Sequence, residues 1–221
     1  MSAHSLRNPA PRVVTAVKGA VFLLALVPAL RLAIGIYQAA VLGMDSLGTN
    51  PAEFVTRSLG DWALRFLLIT LAVTPLRHVA GWAWLVRLRR MLGLFAFFYV
   101  LLHVSSYVSF DQLFNVSDIA KDIAKRPFIT VGFLSLVLLL PLAATSTKGM
   151  VRRLGSRRWQ WLHRLIYVIG PLAVLHFWWM VKRDLTEPII YAVVLAVLLG
   201  VRLVRARRAA SRPFFQGGIA K

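Results

Sequence analysis

Three of the five histidines, His103, His163 and His176, lie in apolar stretches long enough to cross a membrane. An ionisable side chain in such a stretch is costly, so each is a candidate functional group. A neutral imidazole offers one ring nitrogen as a ligand and the other as a hydrogen-bond donor, which suits it to iron. Two imidazoles on neighbouring helices of an apolar bundle make an axial ligand set for a b-type haem. The chain has no cysteine, which excludes thiolate-ligated metals, iron–sulfur clusters and covalent haem attachment. The alternative for each histidine is structural: a hydrogen bond to a backbone carbonyl or to a Ser or Thr hydroxyl. His4, near the N-terminus, and His78, in a turn after Thr74-Pro75-Leu76-Arg77, are assigned no chemical role.

Membrane-crossing helices must position these residues. A crossing takes about 20 apolar residues for a hydrocarbon core of roughly 30 Å. Six segments qualify, near 14–35, 60–79, 91–110, 127–145, 160–180 and 187–205. The fold expected is an all-α integral membrane protein: a six-span, haem-binding helical bundle over 13–206 between short tails at 1–12 and 207–221. The first span follows a basic tail as a signal peptide would, but its apolar part is too long and lacks a small-x-small cleavage site, so it is expected to be retained. A surface helix is expected within 111–126.

The 221 residues carry a net charge of +19, are 58% hydrophobic and have a mean hydropathy of +0.68. A basic balance alone would suggest nucleic acid, but nucleic-acid binders are polar and seldom carry long uncharged apolar runs. Counted on alternate sides of the spans, 19 Lys and Arg fall on one side and 8 on the other, and the second side also holds all 8 Asp and Glu. The positive-inside rule therefore predicts both termini in the cytoplasm. That orientation sets depth. His103 lies about 18 Å along the third span and His176 about 24 Å along the fifth, both entering from the cytoplasm. The two imidazoles are thus predicted to share a level in the outer half of the bilayer. Gly93, Ala96 and Val100 are read as the small residues beside His103 that admit a flat ring.

His163 sits nearer the cytoplasmic end of the fifth span, with Gly170-Pro171 between it and His176. A second haem would need a partner on the third span, where the matching positions are Arg89 and Arg90, neither a ligand for iron. His163 is therefore read as a ligand of a second haem, an alternative ligand, or a residue serving a flavin or quinone head group. Arg152, Arg153, Arg157, Arg158, Trp159, Trp161 and Arg164 surround it. They are read as topology signal and aromatic belt, with some arginines available to flavin phosphate or haem propionates. Trp178, Trp179 and Tyr107 are read as interfacial anchors at the outer face, and Asp61 and Arg65, one turn apart, as a pair.

Three stretches carry a family resemblance. They are Arg89-Arg90-Met91-Leu92-Gly93-Leu94 through Tyr99 and Leu102-His103 to Tyr107; Lys125-Arg126-Pro127-Phe128-Ile129-Thr130-Val131-Gly132; and Trp161-Leu162-His163-Arg164-Leu165-Ile166-Tyr167 through His176-Phe177-Trp178. With Thr74-Pro75-Leu76-Arg77 and Pro141-Leu142-Ala143-Ala144-Thr145-Ser146, they resemble the MsrQ (YedZ) family within the ferric-reductase-like transmembrane group, over nearly all of 10–210. The resemblance implies the haem-binding inner-membrane subunit of a bacterial methionine-sulfoxide reductase system, an electron-transfer subunit rather than the catalytic one. Haem b (one or two) and FMN are the implied cofactors, and the quinone pool or a cytoplasmic flavin reductase the implied donor. The acceptor would be a periplasmic molybdenum enzyme, MsrP, that repairs oxidised methionines. By motif match His103 and His176 are the haem ligands and His163 the third functional histidine. No phosphate-binding motif marks an FMN site. Larger ferric reductases append an FAD/NADPH domain after the last span; here electrons are expected from a quinol or another protein. Two other readings are a small transporter or proton channel with a histidine relay, and a structural anchor for a periplasmic partner. Against the transporter stand the lack of an internal repeat and of any acid at mid-membrane.

Overall fold

The computed structural model describes residues 9–210; residues 1–8, which include His4, and 211–221 of the expected C-terminal tail lie outside the described residues. Among the described residues every regular element is helical. Helix α1 (Pro11–Leu42) starts with a proline, whose missing N–H costs nothing in the first turn, and ends at Gly43 in the left-handed region at φ 64°. Helix α2 (Pro51–Ala80) is capped by Asn50, whose side chain accepts from the Glu53 backbone N–H, and stops at Gly81. A short 3₁₀ turn (Ala83–Leu85) leads into α3 (Val86–Ser106), which runs on through a π-helical turn, Tyr107–Asp111. Leu113 and Phe114 then take φ of 46° and 62°, and this reversal feeds the amphipathic α4 (Val116–Lys125), the expected surface helix.

Helix α5 (Pro127–Ala144) is followed by two short helices, α6 (Lys148–Leu154) and α7 (Ser156–Leu162). A 3₁₀ turn (His163–Leu165) joins α7 to α8 (Ile166–Met180), and α9 (Thr186–Ala210) closes the chain. Among the described residues five helices are long and apolar enough to cross a membrane: Pro11–Leu42, Pro51–Ala80, Ala83–Asp111, Pro127–Ala144 and Thr186–Arg208. They cover the predicted spans except 160–180. There the α-helical spacing tightens at His163–Leu165, leaving α8 with 15 residues, about 22 Å of α-helix. Leu23, Leu24, Leu30, Ile34, Val193 and Val197 point outward as an apolar exterior suited to lipid.

Packing divides the bundle into pairs. Helix α2 lies along α3, α5 along α8, and α9 packs against both α8 and α2. Gly170 lets α8 approach α9 closely, since a Cβ there would stand 3.2 Å from Leu195 Cδ1. Phe66 stacks on Phe95 and on Tyr99, with centroids 5.7 and 5.2 Å away. Tyr99 is fully buried, and its hydroxyl accepts from the Ala29 N–H at 3.1 Å and donates to the Ala25 carbonyl at 2.7 Å. The tyrosine thereby bridges two backbone groups that a regular helix would pair with each other, one residue past Pro28.

Replacing Tyr99 with Phe should lower thermal stability in detergent by roughly 1–3 kcal/mol, because two buried backbone groups lose their partner. A Pro28→Ala background should recover part of that loss by letting α1 close its own hydrogen bond. Equal losses in both backgrounds would show that the hydroxyl does not serve the α1 backbone.

Candidate functional site

Two of the three histidines singled out in the sequence meet. His103 on α3 and His176 on α8 face one another with ring centroids 6.2 Å apart and planes at 75°. Each ring is held by the helix paired with its own. His103 Nδ1 lies 2.8 Å from the Thr56 carbonyl of α2, and His176 Nδ1 lies 2.6 Å from the Phe128 carbonyl of α5. A carbonyl can only accept, so each Nδ1 carries the proton and donates it. In the neutral ring that leaves the Nε2 lone pair free to bind a metal.

Glycines make this approach possible. Gly60 and Gly132 each sit one helical turn after the accepting carbonyl, against the face of the imidazole. A Cβ at Gly132 would stand 2.7 Å from His176 Nδ1, and one at Gly60 would stand 3.1 Å from His103 Nδ1. The same device, a carbonyl and then a glycine four residues on, thus appears on α2 and on α5.

Both histidines line a cavity of about 730 Å³ between the two helix pairs. Ala96, Val100, Leu139, Ile169 and Ala173 form part of its apolar wall. Gly93 does not join them: it packs on α2, where a Cβ would meet Thr70 Cγ2 at 3.6 Å. Ten residues at about 100° each carry it roughly 80° round α3 from His103. The polar mouth, with Asn50, Glu53, Arg57, Asp111 and Gln112, lies at the acid-bearing end of the bundle. Helix α4 closes over it through Ile119 and Ile123 and is tied down at Asp122, which accepts from Tyr107 Oη at 3.0 Å and Gln112 Nε2 at 2.8 Å.

The expected Asp61–Arg65 pair is not among the ion pairs of the described residues. Arg65 Nε instead donates to Tyr191 Oη on α9 at 2.8 Å, with its guanidinium over Trp62, and Asp61 lines the cavity. The Tyr191 phenol of α9 and the Trp62 indole three residues back on α2 hold the guanidinium in place of the carboxylate. His163 stands apart from the cavity, at the arginine-rich end. Its Nε2 is 3.1 Å from Thr145 Oγ1, and its ring stacks on Trp159 at 3.9 Å. Trp159 Nε1 in turn donates to the Thr145 carbonyl at 2.9 Å. Arg152, Arg153, Arg157, Arg158 and Arg164 are exposed around it.

A haem fits this arrangement. Two imidazole–metal bonds of about 2 Å each, with the ring depth behind each nitrogen, require roughly 6 Å between centroids. No third His, Asp or Glu joins the pair among the described residues, so the other positions of a metal held here would be filled by groups from outside the protein, as a porphyrin does. The cavity volume falls in the range of roughly 300–1,000 Å³ usual for cofactor sites. Histidine type and depth marked this pair in the sequence. Thr56, Phe128, Gly60 and Gly132 were not marked, because a carbonyl has no residue signature and a helical glycine has many uses.

Comparison with known proteins agrees with this architecture. The family model described as ferric reductase like transmembrane component matches residues 59–174, a stretch that holds Gly60, His103, Gly132 and His163 and stops just short of His176. Three relatives, each named protein-methionine-sulfoxide reductase heme-binding subunit MsrQ, align over most of the chain. That of Herminiimonas arsenicoxydans is 55% identical over 89% of this chain and 88% of its own length. That of Ralstonia nicotianae is 56% identical over 94% of both. That of Rhodospirillum rubrum is 57% identical over 78% of this chain and 82% of its own. The chain belongs to the MsrQ family, within the ferric-reductase-like transmembrane proteins. In this MsrQ-family bundle the glycine clamps are the part most open to direct test. Gly132→Ala should displace the His176 ring from the Phe128 carbonyl, and Gly60→Ala should disturb His103 less, following the two Cβ distances. Titration of the haem-free protein with a metalloporphyrin should give weaker binding in the order wild type, Gly60→Ala, Gly132→Ala; equal affinities would remove the glycines from the site.

Proposed function

We propose that the chain is a haem b electron-transfer subunit of a methionine-sulfoxide reductase system in the bacterial inner membrane. The observation that carries this is the imidazole pair, each ring oriented by a carbonyl and facing the other across an apolar cavity. The relatives' printed names, which call them heme-binding subunits, support it. When bound, the haem supplies a one-electron redox centre. His103 and His176 would hold its iron through their Nε2 atoms. The Thr56 and Phe128 carbonyls fix their tautomer and raise their basicity. Apolar walls around them exclude water, and α4 covers the mouth.

In the proposed topology the chain crosses six times, the run 160–180 making the fifth crossing, with both termini in the cytoplasm. Nineteen of the 27 Lys and Arg then face inward and all 8 acids outward, in keeping with the charge bias of membrane proteins. The cavity mouth faces the periplasm, close to a soluble acceptor, which we take to be an MsrP-like molybdenum reductase. The donor is the quinone pool or a cytoplasmic flavin reductase, and FMN is included as a cofactor on the family resemblance alone. His163, at the inner end, is assigned to the donor side or to a second haem.

A reduced-minus-oxidised spectrum with haem quantified per chain tests this. His103→Ala and His176→Ala should each abolish the wild-type b-haem signal at the outer site; full haem in both variants would sink the proposal. His163→Ala divides its two roles. Loss of half the haem assigns it a second centre, and unchanged haem with slowed reduction assigns it to electron entry.

A further inference from the structure

The arginine-rich end holds a second, smaller cavity of about 220 Å³, formed by α2, α3, α8 and α9. Its polar lining is Thr74, His78, Arg89, Tyr167, Arg202 and Arg205. None of these arginines is in an ion pair of the described residues, and in the proposed topology all 8 acids of the chain fall on the opposite side.

Arg202 is fixed in place. Pro75 has no N–H, so the Leu71 carbonyl lacks its usual helical partner and instead accepts from Arg202 Nη2. Arg202 Nη1 donates to Tyr167 Oη at 3.2 Å, and the guanidinium lies 5.7 Å from the centre of that ring. These contacts leave Arg202 Nε buried with no hydrogen-bond partner. A buried donor left unmade is destabilising, and so is a cluster of like charges without a counter-ion. A tetrahedral oxyanion relieves the second, because it brings charge and several acceptor oxygens to the guanidinium and hydroxyl groups that line the cavity.

We propose that this cavity binds the phosphate group of a phosphate ester, with Arg202, Arg205 and Arg89 as its cationic ligands and the Thr74 and Tyr167 hydroxyls beside them. The volume holds the phosphate and the start of what it esterifies; the rest extends outside. Two sources offer that chemistry at this end of a membrane protein: an anionic phospholipid, whose headgroups favour basic pockets between helices, and a soluble nucleotide such as FMN. The site does not depend on the haem assignment, since it shares no residue with the histidine cavity.

The test uses the purified, haem-loaded protein in detergent after delipidation, with native mass spectrometry and calorimetry as readouts. The probes are short-chain phosphatidylglycerol, FMN, inorganic phosphate and, as a zwitterionic control, phosphatidylcholine. Saturable one-to-one binding of phosphatidylglycerol or FMN is expected, weakened about tenfold by Arg205→Gln. Whichever binds more tightly names the source. Arg202→Gln should weaken binding further. Should its loss of the Leu71 contact compromise folding, Arg205→Gln, which removes no hydrogen bond described here, still decides. The haem spectrum should be unchanged in Arg205→Gln, which keeps this result separate from the fate of the haem reading. Failure of both esters to bind, or binding indifferent to Arg205→Gln, overturns the proposal.

Discussion

A hydrogen bond from an imidazole to the backbone of a neighbouring helix governs this molecule's chemistry. Without the Thr56 and Phe128 carbonyls, His103 and His176 would be free to rotate and to carry the proton on either nitrogen. With them, each ring has one tautomer and one direction. The carbonyl imposes further demands. It lies on a helix barrel, so the imidazole must lie against that barrel, and only a glycine on the next turn leaves room. Two helix pairs, two glycines and the gap between the pairs follow from that one contact.

Much of the site was legible in the sequence, for a reason rooted in electrostatics. The uneven spread of Lys, Arg and acids predicts a direction for each span, and a direction converts residue number into an expected depth. That put His103 and His176 at one level, and the structure brings their rings to 6.2 Å, edge to face. Angular position around a helix was harder. Gly93 was placed on the cavity side of α3 but packs on α2, since an error of 80° is invisible when only residue type is read. Arg65 was matched to the acid one turn away and instead reaches Tyr191 on α9, a contact that depends on tertiary packing. The run through His163 reads as one apolar helix, yet its spacing tightens into a 3₁₀ turn where Trp159, Thr145 and His163 interlock.

Prolines inside the long helices show a related economy. Pro75 leaves a carbonyl without its N–H, and a side chain from another helix, Arg202, takes it up. Near Pro28, the Tyr99 hydroxyl enters the backbone of α1 in the same spirit. In an apolar medium such repairs matter more than in water, because no solvent molecule is at hand to satisfy the exposed group. Each repair also fixes a long polar side chain, and the arginine so fixed at the basic end is the one whose remaining N–H lacks a partner.

The repetition of carbonyl and glycine on α2 and α5 bears on how the bundle is assembled. Each histidine is oriented wholly within its own pair, α2 with α3 or α5 with α8. Helices α2 and α3 are neighbours in the chain, so their pair can form as soon as both have left the insertion machinery. The pair α5 with α8 must wait for the intervening short helices α6 and α7. Lateral docking of the two finished halves in the bilayer then creates the gap between them. On that order each imidazole would be oriented before the pocket exists, and a planar group captured during docking would act as a rivet between two halves built at different times.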